Sequence, residues 1–222
     1  SFSDPNHVKD TKLKGDPIPY IHQLMNETTS GYMISSGFGG GTANIEYMTM
    51  TGLPLANFSP TLSTPYTQLV SARNYNPSIV NYFSNAVAIH PYVGNFYSRP
   101  KVYEKFGFND FIYLGSKTEI KHQEKIQNNP YLSDKVAYAN ALDVINENKD
   151  NGQFINLVTM QNHMPYNKDY YSDNTDFAVE QAVELDDEIR EQINNFATGI
   201  HYTDGYVADF IEQLEAIDKP IT

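Results

Sequence analysis

Between Leu185 and Ile217 the apolar residues fall at steps of four and three: Leu185, Ile189, Ile193, Phe196, Ile200, Val207, Phe210, Leu214 and Ile217, with Thr203 on the same line. That is the period of a helix with one buried face. Gly199 and Gly205 are places where such a helix bends or splits, and Lys219-Pro220 ends it. Elsewhere the apolar text comes in shorter runs. AVAIH (86–90), DFIYL (110–114) and QFINLVTM (153–160) have strand length, and the first and last read as buried strands. A short strand-like core lies within residues 29–36. Helical spacing returns in residues 42–51, with Ile45, Tyr47 and Met48 near one face, and in KVYEKF (101–106). A further helix runs from a cap at Ser133 or Asp134 to about residue 148. Asn76-Pro77 reads as a cap and first helical residue, with Ile79, Val80 and Phe83 as the apolar face. Residues 115–131 are polar and read as a loop or insertion, a Tyr-rich polar loop extends to about residue 175, and Ile221-Thr222 opens another strand.

Alternating strands and helices predict an α/β fold with a largely parallel sheet. In such sheets ligands gather at the carboxyl ends of the strands. Three strand exits carry residues capable of chemistry: the glycine run into Thr42, the exit at His90, and the exit at His163 in MQNHMPY.

Composition narrows the function. A chain of 222 residues, 40% hydrophobic and 19% charged, is globular and builds one sizeable domain or two small ones. Fifteen basic against 27 acidic residues give a net charge of −12. That argues against nucleic acid as the main partner and against broad adhesion to anionic lipid. With no Cys, disulfides, thiolate catalysis and zinc–thiolate sites are excluded. No apolar run is long enough to span a membrane, and none of these residues reads as a signal peptide. The chain opens on SFSDP and stops at DKPIT, and reads as a piece of something longer.

The stretch GFGGGT (37–42) places four glycines in five residues ahead of a hydroxyl. No Lys precedes Thr42, so it is not a phosphate-binding P-loop, and Asn44 stands where a dinucleotide fingerprint needs its third glycine. Glycine permits positive φ and close backbone approach. One reading is a tight turn before a helix capped by Thr42, with Glu46 suiting the first-turn dipole. The other is a nucleophilic Thr42 at a helix N-terminus, which needs a metal or a base to activate it. His90 and His163 fit either structural or ligand-binding roles. Arg99, close to Phe96 and Tyr97, is either a surface charge or a bidentate phosphate ligand. His201 lies inside the long helix and reads as structural, while His7, His22 and His122 sit in polar text.

Together SFSDP, GGGTANIEY, HPYVGNFYSRPKVYEKFGFNDF and LVTMQNHMPY resemble, in order and over nearly the whole chain, the lipoteichoic acid synthase branch of the alkaline phosphatase/sulfatase superfamily. The resemblance implies a three-layer α/β/α sandwich with a mostly parallel sheet, incomplete at both termini. It implies that residues 1–222 are a fragment of a single catalytic domain, with the polar insertion at about 115–131. It implies transfer of glycerol phosphate from phosphatidylglycerol to a teichoic-acid or glycan acceptor, on the extracellular face of a bacterial cell membrane. Thr42 becomes the nucleophile and a ligand of Mn²⁺ or Mg²⁺. His90, Phe96, Tyr97, Arg99 and His163 become the glycerol-phosphate pocket. The family's other metal ligands fall just before Ser1 and beyond Thr222, so the chain by itself is expected to bind metal poorly and to be inactive. Membrane helices would lie upstream. A formylglycine sulfatase is disfavoured: there is no Cys, and Ser63-Thr64-Pro65-Tyr66-Thr67 lacks the Arg of that motif. A sulfatase-fold phosphodiesterase and a noncatalytic glycan-binding domain are the alternatives.

Overall fold

A three-stranded parallel sheet of order β3-β2-β4 forms the centre of the first part of the fold, with β2 (Asn85–Val93) between β3 (Asp110–Leu114) and β4 (Gln153–Leu157). The computed structural model describes residues 3–33, 35, 41–148, 152–173, 177, 179–182 and 185–217. It divides into two compact units, one of Met33–Lys121 and Asn140–Val158, the other of Phe2–Tyr32, His122–Ala139 and Thr159–Thr222.

In the first unit β2 is buried from Ala86 to Pro91, as a central strand covered on both faces must be. Ala86 and Ala88 share one face of the strand. They pack in one core cluster with Ala43, Tyr47 and Met50 of α2 (Thr42–Thr51) and Val102, Tyr103 and Phe106 of α4 (Arg99–Phe106). The ladder to β3 shifts register between His90 and Val93. Pro91, which has no N–H to donate, falls in that irregularity. The short helix α3 (Pro65–Gln68) adds Tyr66 to the same core.

The second unit pairs β1 (Thr11–Leu13) antiparallel with β5 (Val179–Ala182). It also holds α1 (Pro19–Glu27), the start of α5 (Asp134–Glu147), and α6 (Asp187–Glu215). Helix α6 runs unbroken through Gly199 and Gly205. Its buried residues include Asn195, Thr198, Thr203 and Asp204, so the covered face is more polar than the apolar stripe predicts. Backbone groups are the reason. Asn195 donates to the carbonyls of Tyr166 and Lys168, and the Asp204 carboxylate accepts the Tyr20 and Ile21 N–H groups at the start of α1. Near the chain's beginning His22 sits between Asp16 (2.7 Å) and Asp4 (3.1 Å).

Other expectations fare unevenly. Strand DFIYL and the helix from Asp134 form as read, while β4 stops at Leu157, short of residue 160. Residues 30–33 and 35 form no strand, and Tyr32 and Met33 are 80% and 76% exposed; Ile34 and Ser36 lie outside the described residues. No α-helix follows Asn76-Pro77. Its amide is spent on the Val70 and Lys105 carbonyls, and a single 3₁₀ turn, Ile79–Tyr82, is capped by Ser78 instead. Lys219-Pro220 and Ile221-Thr222 lie outside the described residues. Among those described, no helix is long and apolar enough to cross a membrane.

Candidate active site

Thr42 is the first residue of α2, immediately after Gly41, whose φ of 77° is left-handed. Only glycine takes that angle without strain, which accounts for one glycine of the run; residues 37–40 lie outside the described residues. The Gly41 carbonyl accepts the first helical bond, from Asn44 N–H at 2.8 Å. No side chain caps α2, so the half-buried Thr42 hydroxyl stands at a helix N-terminus whose leading N–H groups point outward. The Asn44 amide donates to the Ser63 carbonyl, and its buried Oδ1 has no hydrogen-bond partner.

One helical turn on, Glu46 is buried at 8% exposure and faces Arg99, exposed by 3%. Arg99 Nη2 donates to Glu46 Oε1, and Nε to Oε2 at 3.4 Å. The hydroxyls of Tyr66 and Tyr103 also donate to Oε2, at 2.9 and 2.8 Å. Burial by itself would lower the Arg99 pKa, but the bonds and charge of Glu46 outweigh it and hold the guanidinium above its ordinary value. Burial first, then the Glu46 charge, pushes both Tyr hydroxyls well up, so they stay donors. Removing one partner of such a buried pair costs about 3–5 kcal/mol.

Arg99 opens α4 after an unusual corner. Tyr97 (φ 56°) and Ser98 (φ 57°) are consecutive left-handed residues, neither of them glycine. Each costs about 1–3 kcal/mol and persists only where its surroundings enforce it, and such residues concentrate at functional sites. The corner holds the Tyr97 ring 5.3 Å from the Arg99 guanidinium carbon and leaves Phe96 56% exposed. Phe96 stacks on Tyr92, which meets His90 edge-on. His90 is buried within β2, which runs on past the predicted exit to Val93, and its Nδ1 donates to the Val158 carbonyl at 2.7 Å. A carbonyl only accepts, so Nδ1 carries the hydrogen.

Glu46 and Arg99 are thus linked directly, Thr42 begins the helix that carries Glu46, and Phe96 joins His90 through Tyr92, all in the first unit. His163 belongs to the second. It is exposed, donates from Nδ1 to the Met164 carbonyl at 2.7 Å, and lies edge-on to Tyr131. The buried polar cluster just before it is structural. Gln161 accepts Asp134 N–H and donates to the Gly199 carbonyl, while Asn162 donates to Thr203. Asp134 is buried there, and its pKa is raised by burial against the hydrogen bonds that oppose it. Sequence reasoning missed Glu46, Tyr66 and Tyr103 as a cluster. The one local signal was Glu46 four residues after Thr42, on the same helix face.

Among the described residues no group of three acidic or His side chains is placed to hold a metal ion. Thr42 Oγ1 and the orphaned Asn44 Oδ1 are too few for a hard divalent cation, which takes six or more oxygens. The residues on view therefore do not fit a metal by themselves.

Comparison with known proteins follows the same line. The profile of the family described as Sulfatase matches residues 1–222. A Rhizobium meliloti protein named for cyclic beta-1,2-glucan modification is 32% identical over 223 residues, 99% of this chain and 32% of that protein. The structure of Streptococcus pyogenes phosphoglycerol transferase GacH in complex with sn-glycerol-1-phosphate is 35% identical, with a TM-score of 0.90 over 100% of this chain and 56% of that one. Lipoteichoic acid synthase LtaP from Listeria monocytogenes is 21% identical with a TM-score of 0.71, over 96% of this chain and 49% of that one, a likeness of fold. The chain thus spans about half the length of these two structures and about a third of the curated relative. It has the α/β fold with a parallel sheet of the alkaline phosphatase/sulfatase type, and is related to the phosphoglycerol transferases.

Proposed function

The chain belongs to the sulfatase family, and from that premise we propose that residues 1–222 are a fragment of the single catalytic domain of a phosphoglycerol transferase. The observation that carries this reading is Thr42 as the first residue of an uncapped helix, behind a left-handed glycine. Thr42 Oγ attacks the phosphorus of phosphatidylglycerol. An Oγ–P bond forms, the P–O bond to diacylglycerol breaks, and the Thr proton ends on the diacylglycerol oxygen. An acceptor hydroxyl then attacks the phosphorus, the Oγ–P bond breaks, and Thr42 regains a proton. The outward N–H groups of α2 and the charge of Arg99 stabilise the phosphoryl oxygens. His90, Phe96 and Tyr97, in the same unit as Thr42 and Arg99, contribute to the glycerol-phosphate pocket.

Sulfatase-superfamily enzymes are typically metal-dependent, and the ion proposed here is Mn²⁺ or Mg²⁺, to which this chain brings the Thr42 oxygen. The acceptor is a teichoic-acid chain or a glycan of the cell envelope. The relative named for glucan modification supports a sugar hydroxyl. The reaction is placed on the extracellular face of the bacterial cell membrane, where phosphatidylglycerol is the donor.

The test is the intact mass of the full-length protein after incubation with phosphatidylglycerol and Mn²⁺, with peptide mapping of any adduct. A glycerol-phosphate adduct on Thr42, absent in Thr42→Ala, is expected. Lipid turnover that Thr42→Ala leaves untouched would sink the mechanism. Glycan binding with no turnover would point to a binding domain, and release of glycerol phosphate to water alone to a phosphodiesterase.

A further inference from the structure

We infer that Glu46 is a positioning residue, which sets the Arg99 guanidinium against the start of the nucleophile helix. The inference rests on the transfer reading above. Glu46 Oε2 receives Tyr66, Tyr103 and Arg99 Nε, and Oε1 receives Arg99 Nη2. A carboxylate has about four lone-pair sites. This one has four donors, so it is engaged as an acceptor and is no candidate base. Its place on α2 matters more. Thr42 and Glu46 are four residues apart on one helix, about 6 Å along the axis. Arg99 is the first residue of α4. The ion pair therefore ties the second turn of α2 to the first residue of α4.

The geometry of the grip fixes orientation as well as distance. Nε and Nη2 lie along one edge of the planar guanidinium, so pairing through both directs the remaining N–H groups away from Glu46. Tyr97 covers the guanidinium at 5.3 Å, held there by the left-handed pair at residues 97 and 98. A buried ion pair adds little stability over apolar residues of the same volume. Four polar groups converging on one carboxylate serve orientation better than stability.

The experiment is a double-mutant cycle in the full-length protein, reading kcat and KM for phosphatidylglycerol per folded molecule. Glu46→Gln keeps the volume and removes the charge. It is expected to lower kcat/KM by about 100-fold, the loss that a misplacement of about 1 Å produces. Arg99→Gln should cost a similar factor. The double variant, which leaves no unpaired buried charge, should lose no more than either alone. Losses that multiply in the double variant, or Glu46→Gln turning over at the wild-type rate, overturn the inference. If Glu46→Gln does not fold, Tyr103→Phe and Tyr66→Phe each remove one donor from Oε2. A smaller loss in the same direction is expected of them, and wild-type kinetics in both would be the contrary result. A wild-type protein that forms no Thr42 adduct overturns the transfer reading itself. Adduct formation that is indifferent to Glu46 overturns this inference alone.

Discussion

Both ring nitrogens of His22 face carboxylates, Nδ1 to Asp16 and Nε2 to Asp4, with His7 also 3.7 Å from Asp4. To donate to both, the ring must carry both protons. The Asp16 bond raises the His22 pKa above 6.5, against the opposing pull of burial. Burial would raise Asp16, but the bonds and charge of His22 and the Ile18 N–H outweigh it, and its pKa falls below 3.8. The signs follow. The His22 contribution is complete below its unfolded pKa and is lost as pH rises through the higher folded value; that of Asp16 is lost as pH falls through its lowered value. The unfolding midpoint should therefore exceed that of His22→Gln most near about pH 5–6, and the gap should narrow above about pH 7. A gap that does not narrow at all as the pH rises would contradict the clasp. At this scale β2 continues past His90 to Val93, whereas the helix start at Thr42 was legible, because a glycine run marks it locally. The role of Glu46 was not, since Tyr66, Arg99 and Tyr103 stand 20, 53 and 57 residues away. Only the folded chain brings them together.

Helix α6 shows how an element can follow its period and still surprise. Its length was legible from the apolar spacing. The continuity through Gly199 was not, because the reason lies in other segments. A Cβ on Gly199 would stand 2.5 Å from Asn162 Oδ1 and 2.9 Å from the Tyr171 hydroxyl, whereas one on Gly205 meets nothing within 4 Å. Propensity favours Ala over Gly by about 1 kcal/mol at either position. Overpacking costs about 1–3 kcal/mol. Denaturant unfolding should therefore show Gly199→Ala destabilised and Gly205→Ala stabilised, opposite signs two turns apart. Equal shifts would mean that the close packing around Gly199 yields freely. The buried strand β2 was readable as an apolar run; β4 forms where the last run predicts a strand but is only half-buried, from Gln153 to Leu157. The turn at Ile79–Tyr82 was not readable, because the Asn76 amide binds the nearby Val70 carbonyl and that of Lys105, 29 residues on.

For the molecule as a whole, strand–helix alternation was enough to give the class of fold, and the parallel ladders agree. The net charge of −12 belongs to this scale too. It sets a repulsive field toward anionic lipid that reaches further as salt is removed. Co-sedimentation of this chain with phosphatidylglycerol vesicles should not rise between about 0.15 M and about 0.01 M ionic strength. A rise would reveal a basic face that the overall charge conceals.

The Asp204 carboxylate at the head of α1 has a consequence in time. Helix α1 has no buried residue of its own, and its first N–H groups bond to a residue 184 positions later. Strand β1 likewise waits for β5. On a ribosome adding about 5–20 residues per second, Asp204 is made roughly 10–40 s after Tyr20. Until then the segment has no cap, and a nine-residue helix in water is marginal by itself. The earliest part of this chain to be synthesised is among the last to acquire its native bonds.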